Sequence, residues 1–173
     1  MNASPPPLPV GQGTAAWTPP SALDRLAILR DTRSVAIVGA SDKPSRASYF
    51  VATYLLGSTD YKLYFVNPLV GEIMGRRSYA SLAEIPEPVD LVDVFRKHDD
   101  LPGVLAEATA IGAKALWLQL GSWHEAVASQ GQAAGLRVVM DRCLKIEHAR
   151  FHGGLHLAGF NTGVISAKRQ VLG

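Results

Sequence analysis

The sequence predicts an α/β fold: a single doubly wound parallel sheet of about five strands with helices on both faces. Two observations predict it. Short, uninterrupted apolar runs recur along the chain, such as Val35-Ala-Ile-Val38 and Ala115-Leu-Trp-Leu118. Runs of this kind suit strands covered on both sides rather than one. Stretches with helical spacing and capping residues separate them, so strands and helices alternate as parallel βαβ units require.

The elements follow in order. Ser21 opens a helix: its side chain can cap free N–H groups, and Asp24 lies in the first turn. Leu23, Leu26, Ala27 and Arg30 continue it, with Arg30 at the end where a cation is favoured. Ser34 to Gly39 reads as the first strand, Tyr49 to Leu56 as a helix and Lys62 to Asn67 as the second strand. Leu91 to Phe95 reads as the third strand, and Leu101 to Ile111 as a helix stopped by Gly112. Ala115 to Leu118 is the fourth strand. Ser122-Trp-His-Glu125 reads as a capping box, opening a helix that runs towards Ala134 and ends at Gly135. Arg137 to Met140 completes the five. The whole is Rossmann-like.

With 173 residues the chain suits one domain. Residues 1–20, rich in Pro, Gly, Ala and Thr, are expected to form a flexible arm. Trp17 is a candidate to dock on the body. Residues 21–150 form the expected domain, and 151–173 a tail packing on it or on an oligomer partner. A hydrophobic fraction of 47% and a charged fraction of 18% are ordinary for a globular chain. A net charge of +2 gives no reason to expect nucleic acid. No secretory start or long apolar run is visible, so no membrane partner is expected and a cytoplasmic location is. The single cysteine, Cys143, excludes an intrachain disulfide and fits a reducing compartment.

In an open parallel sheet, ligands bind beyond the carboxyl ends of the strands. Those ends are polar and cationic here. The first turn, Gly39-Ala40-Ser41-Asp42-Lys43-Pro44-Ser45-Arg46, combines a glycine for a tight turn, a hydroxyl and two cations ahead of a helix N-terminus. That is the composition of a phosphate cradle. The dinucleotide fingerprint is incomplete. Gly39 holds its first position, but Ser41 and Pro44 replace the later glycines, and the second strand ends in Asn67 rather than an acid. The loop cations point instead to a ligand with extra phosphate charge.

On these residues the chain resembles the small bacterial CoA-binding proteins of the CoA_binding_2 type. These are relatives of the CoA-binding domain of the succinyl-CoA synthetase alpha subunit. The matching stretches are Val35 to Arg46, Val66 to Pro68, Tyr79 to Arg96, Ile111 to Gly121 and Val138 to His148, in that order. The resemblance implies a Rossmann-type domain holding coenzyme A or an acyl-CoA across the strand ends. Gly39, Ala40, Ser41, Lys43 and Arg46 would hold the phosphates, and Asn67 and Pro68 would shape the adenosine side. Phe95 and Arg96 would line the centre, with Gln119 and Gly121 bordering the same crevice. Trp117 is read either into the crevice or, in preference, into the core. The synthetase's chemistry is not expected to carry over. Its phosphohistidine comes from a second domain, and Phe151 to Gly173 is too short a stretch to be one.

Other chemistry is weaker. Cys143, beside Asp141, Arg142 and Lys145, is either a half-buried structural thiol or one activated by neighbouring cations towards a mixed disulfide with CoA. His148, His152 and His156 recur at helical spacing, a pattern that can bind zinc, but Gly153-Gly154 interrupts it. His148 is therefore read as a capping or hydrogen-bonded residue. No nucleophile-elbow motif is present. Asp90 and Asp93 flank the third strand, and Asp93 is read as satisfying loop backbone rather than a ribose. Gly71 and Gly75 suggest a loop beside the pocket. The expected function is a CoA or acyl-CoA binding, carrier or regulatory protein with no catalysis of its own, acting alone, as a homo-oligomer or with an enzyme partner. The alternatives are an NAD(P)-binding oxidoreductase-like protein and an interaction protein with a vestigial nucleotide site.

Overall fold

Strand β1 (Ser34–Val38) is buried at every residue, as its unbroken apolar run demands of a strand covered on both faces. The computed structural model describes residues 16–152. Expectations for the arm before residue 16, for the tail from residue 153 and for His156 lie outside the described residues.

Six further strands accompany β1: β2 (Lys62–Val66), β3 (Glu72–Ile73), β4 (Arg76–Tyr79), β5 (Leu91–Val94), β6 (Ala115–Leu118) and β7 (Arg137–Val139). They form one sheet in the order β3-β4-β2-β1-β5-β6-β7, parallel except for β3 at the edge. Alternation along β1 divides the core. Val35 and Ile37 face the layer of α1 (Ala22–Asp31), α2 (Ala47–Ser58) and α5 (Leu144–His152). Ala36 and Val38 face the layer of α3 (Leu101–Ala110) and α4 (Glu125–Ala133). Period-two side-chain direction thus splits one apolar run between two helix layers.

The expected five strands are all present, and β3 and β4 are added. They lie in the stretch read from the sequence as a loop around Gly71 and Gly75. Met74 and Gly75, at φ 51° and 71°, make the tight turn of a β3–β4 hairpin, and positive φ at both central residues matches the twist of paired strands. β4 then joins β2 through only the Phe65–Ser78 and Val66–Tyr79 pairs. Strands as short as Glu72–Ile73 and the arginine-bearing Arg76–Tyr79 carry no apolar run for a sequence reading to find.

Helix ends also follow local chemistry. Ser21 Oγ accepts from Asp24 N–H at 3.1 Å while Asp24 accepts from Ser21 N–H at 2.8 Å, a reciprocal cap of α1. The capping box expected at Ser122 is not formed. Gly121, at φ 81°, turns the chain so that Ser122 N–H closes a turn onto Gln119 O. His124 caps α4 instead, its Nδ1 accepting from Val127 N–H at 3.3 Å. Trp17 does dock. Its Nε1–H donates to Val138 O at 3.0 Å, and its ring meets Trp123 edge-on at 5.4 Å, covering the edge strand β7. Among the described residues no helix is long and apolar enough to cross a membrane.

Candidate functional site

The neighbours of β1 are β2 on one side and β5 on the other, so the order of the sheet reverses there. This switch point opens a crevice beyond the carboxyl ends of β1 and β5. Gly39 leaves β1 at φ 81°, and a Cβ at that position would overlap the Phe95 carbonyl oxygen and lie 3.0 Å from Arg96 Cδ. Phe95 N–H donates to Val38 O at 2.8 Å, and Gly39 N–H to Val66 O at 3.0 Å. The first turn is therefore held from both sides by β2 and β5.

Asn67 is a strut between the loops after β1 and β2. Its Nδ2 donates to Ala40 O, and its Oδ1 accepts from Leu69 N–H, both at 2.8 Å. An acid could not make the first of these bonds, which explains physically why the second strand ends in an amide. Ala40 is buried, so it offers the crevice only backbone. Ser41 Oγ accepts from Lys43 N–H at 3.1 Å, and its hydroxyl proton is donated to no acceptor among the described residues. Lys43 and Arg46 are exposed and make no ion pair among the described residues. Arg46 is the N-cap residue of α2 and supplies no side-chain cap, so the free N–H groups of the first turn are not claimed by it.

Two clefts open from this corner. The larger, about 660 Å³, runs over Ala47 and Val51 of α2 to Phe95, Gln119, Gly121 and Cys143. The smaller, about 380 Å³, is bordered by Gly39, Pro68 and Glu107. Arg96 borders both, its Nε 3.7 Å from Asp100 Oδ2. The structure thus gathers Phe95, Arg96, Gln119 and Gly121 in one cleft and Gly39, Pro68 and Arg96 in the other. Ala40, Ser41, Lys43, Arg46 and Asn67 build the loop and strut and line neither. Trp117 turns into the core, fully buried, with its Nε1–H on Arg142 O at 2.8 Å.

Asp93 corrects the sequence reading. It does not flank the third strand or satisfy a loop; it lies inside β5, fully buried. Asp90 does the backbone work instead, accepting from Arg33 and Ser34 N–H at 2.8 and 3.2 Å and pairing with Lys114 at 2.9 Å. Asp93 Oδ1 accepts from Gln119 Nε2–H, while Oδ2 has no partner among the described residues. Burial raises its pKa to about 7. The one sequence signal was an acid set within the apolar run Leu91-Val-Asp-Val94.

His148 is hydrogen-bonded, as expected, its Nδ1 3.0 Å from the Tyr54 hydroxyl. Burial and the stacked ring of His152, 4.2 Å away, lower its pKa to about 4. Among the described residues no cluster of three or more His, Cys, Asp or Glu could hold a metal ion. His98, in the larger cleft, stacks on His124 at 4.4 Å, a pairing with no local signal because the two residues lie in separate strand-to-helix connections.

The CoA binding domain family matches residues 33–149. The chain is 36% identical over 130 residues to the uncharacterized protein YneT of Bacillus subtilis strain 168, covering 75% of this chain and 96% of that one. It is 36% identical over 94 residues to subunit alpha of ADP-forming acetate–CoA ligase I from Pyrococcus furiosus, covering 51% of this chain but 20% of the subunit. A solved structure of a hypothetical protein from Pyrococcus horikoshii OT3 superposes with a TM-score of 0.73 at 34% identity. It covers 79% of this chain and 98% of that one.

Proposed function

The chain belongs to the CoA binding domain family, and from that premise we propose that it binds coenzyme A, free or acylated, at the β1/β5 switch point. It works as a carrier, sensor or enzyme partner in the cytoplasm. The observation that carries the reading is the loop from Gly39 to Arg46. Its turn is fixed by Phe95 and Val66, its cations are unpaired among the described residues, and it leads into the uncapped start of α2. Such a corner suits phosphate oxygens: backbone N–H groups and the helix dipole act from one side, and exposed cations act from the other. Asn67, committed to Ala40 and Leu69, offers no carboxylate to the ribose hydroxyls that a nicotinamide dinucleotide presents.

In this reading Gly39, Ala40, Ser41, Lys43 and Arg46 hold the phosphates. Asn67 and Pro68 bound the adenosine side, and Phe95, Arg96, Gln119 and Gly121 line the path of the arm that carries the thiol. The stretch shared with the acetate–CoA ligase subunit is a fifth of that protein, so the likeness does not bring ligase chemistry with it. Calorimetric titration with CoA, acetyl-CoA, NAD and NADP tests the reading. Saturable binding of the CoA forms alone is expected, and binding of NAD in their place overturns it.

A further inference from the structure

We infer that Asp93 is a positioning residue for Gln119, and that the pair reads an amide N–H of the ligand in the larger cleft. The inference rests on the CoA reading and deepens it by assigning that cleft to the amide-bearing arm of the cofactor.

Gln119 is nine-tenths buried at the end of β6 and lines the cleft. Its Nε2 is turned back into the sheet, donating to Asp93 Oδ1. A side-chain amide anchored through its nitrogen presents its oxygen the other way. Gln119 Oε1 makes no hydrogen bond among the described residues and is not sealed in the core, where Asp93 Oδ2 is the only unpartnered buried side-chain nitrogen or oxygen among them. What reaches the cleft is therefore a carbonyl acceptor of fixed orientation. Asp93 serves this purpose whether ionised or protonated, since Oδ1 accepts in either state.

The cleft around that acceptor is largely apolar, with Val51 at its wall and Leu120, Trp123 and Ile146 standing exposed around it. A chain of methylenes and secondary amides matches such a surface. Its carbon atoms cover the apolar side chains, and an amide N–H meets the one acceptor locked from behind. The pantetheine arm of coenzyme A has that composition. A buried carboxyl that supports a second residue also accounts for an otherwise costly group in the middle of a core strand.

The test compares CoA with adenosine 3′,5′-bisphosphate, which lacks the arm, on the full chain and on variants shown to be folded by circular dichroism. Asp93→Val removes the acceptor behind Gln119, and Gln119→Met removes the amide at similar size. Both are expected to weaken CoA about five- to tenfold, the scale of one lost hydrogen bond, and to leave the bisphosphate within about twofold. Asp93→Asn keeps an oxygen for Gln119 and is expected to restore CoA binding to within about threefold of the parent. Without ligand, the side-chain amide protons of Gln119 should exchange slowly in the parent and fast in Asp93→Val. Equal losses for both ligands, or failure of Asp93→Asn to rescue, overturn the inference while leaving the CoA reading intact. If the parent binds neither ligand, the CoA reading fails, and the amide assignment fails with it. Fast exchange of the Gln119 amide in the parent removes the positioning role by itself.

Discussion

A Cβ on residue 39 would occupy the space of the Phe95 carbonyl oxygen, so β1 can leave the sheet at this point only as glycine. The collision involves backbone, which cannot rotate away as a side chain can, and φ of 81° adds strain for any L side chain. Gly39→Ala is therefore expected to cost about 2–4 kcal/mol, from backbone strain and overpacking together. Urea unfolding measures it, and a loss below about 0.5 kcal/mol, the range of an ordinary surface change, would count against the constraint.

Lys43 and Arg46 stand on the same corner but carry no structural load, being exposed and without ion pairs among the described residues. Replacing both by alanine should leave the unfolding midpoint nearly unchanged and weaken CoA binding by roughly 1.5–3 kcal/mol per lost phosphate contact. Calorimetry on the double variant checks this, and unaltered affinity would remove the phosphate assignment.

Arg25 and Glu147 close α1 against α5, with Nε and Oε2 at 2.8 Å and both side chains buried. Arg150 shares the same carboxylate at 3.0 Å. Arg25→Met fills the volume yet removes a partner from a buried charge, at an expected cost of about 3 kcal/mol. Arg25→Met with Glu147→Leu should recover part of that loss, since the buried carboxylate left with Arg150 alone is then gone and the partly exposed Arg150 can turn to solvent. Stability of the double variant no better than that of the single one would refute the account.

Two buried groups oppose each other in the response of stability to pH. Asp93 has its pKa raised from 3.8 to about 7 by burial. Between those values the fold holds a proton that the unfolded chain has released, so this group makes stability fall as pH rises. His148 has its pKa lowered from 6.5 to about 4. Between those values the unfolded chain takes up a proton that the fold excludes, so this group makes stability rise with pH. Asp93→Asn should therefore gain on the parent from pH 4 to 7, and His148→Gln should gain on it as pH falls from 6.5 to 4. Each slope is at most about 1.4 kcal/mol per pH unit. Urea midpoints at pH 4.5, 6 and 8 give both, and variant curves parallel to the parent would show that neither group titrates in this way.

Much of the scaffold was legible because its signals are local. Ser21 and Asp24 announce their helix within one turn, and Val35 to Val38 can only be a strand covered on two sides. The first turn was legible for the same reason, since glycine, hydroxyl and cations lie within eight consecutive positions. The β3–β4 hairpin was not, because β4 draws its pairing from β2 and β3 from β4, rather than either from its own composition. The Ser122 box failed because a distant bond, Gly121 N–H to Asp141 Oδ1 at 2.7 Å, ties the loop to β7 and shifts the cap to His124.

The sequence by itself determined the alternation of strands and helices and the chemistry of the corner after β1, since both are written in neighbouring residues. Only the tertiary structure decided that Asn67 braces Ala40, that Arg96 divides two clefts, and that Asp93 stands behind Gln119. Each of these joins residues brought together by the order of strands in the sheet. A hydrogen bond between positions 93 and 119 exists because β5 and β6 are adjacent, which no local pattern of side chains records.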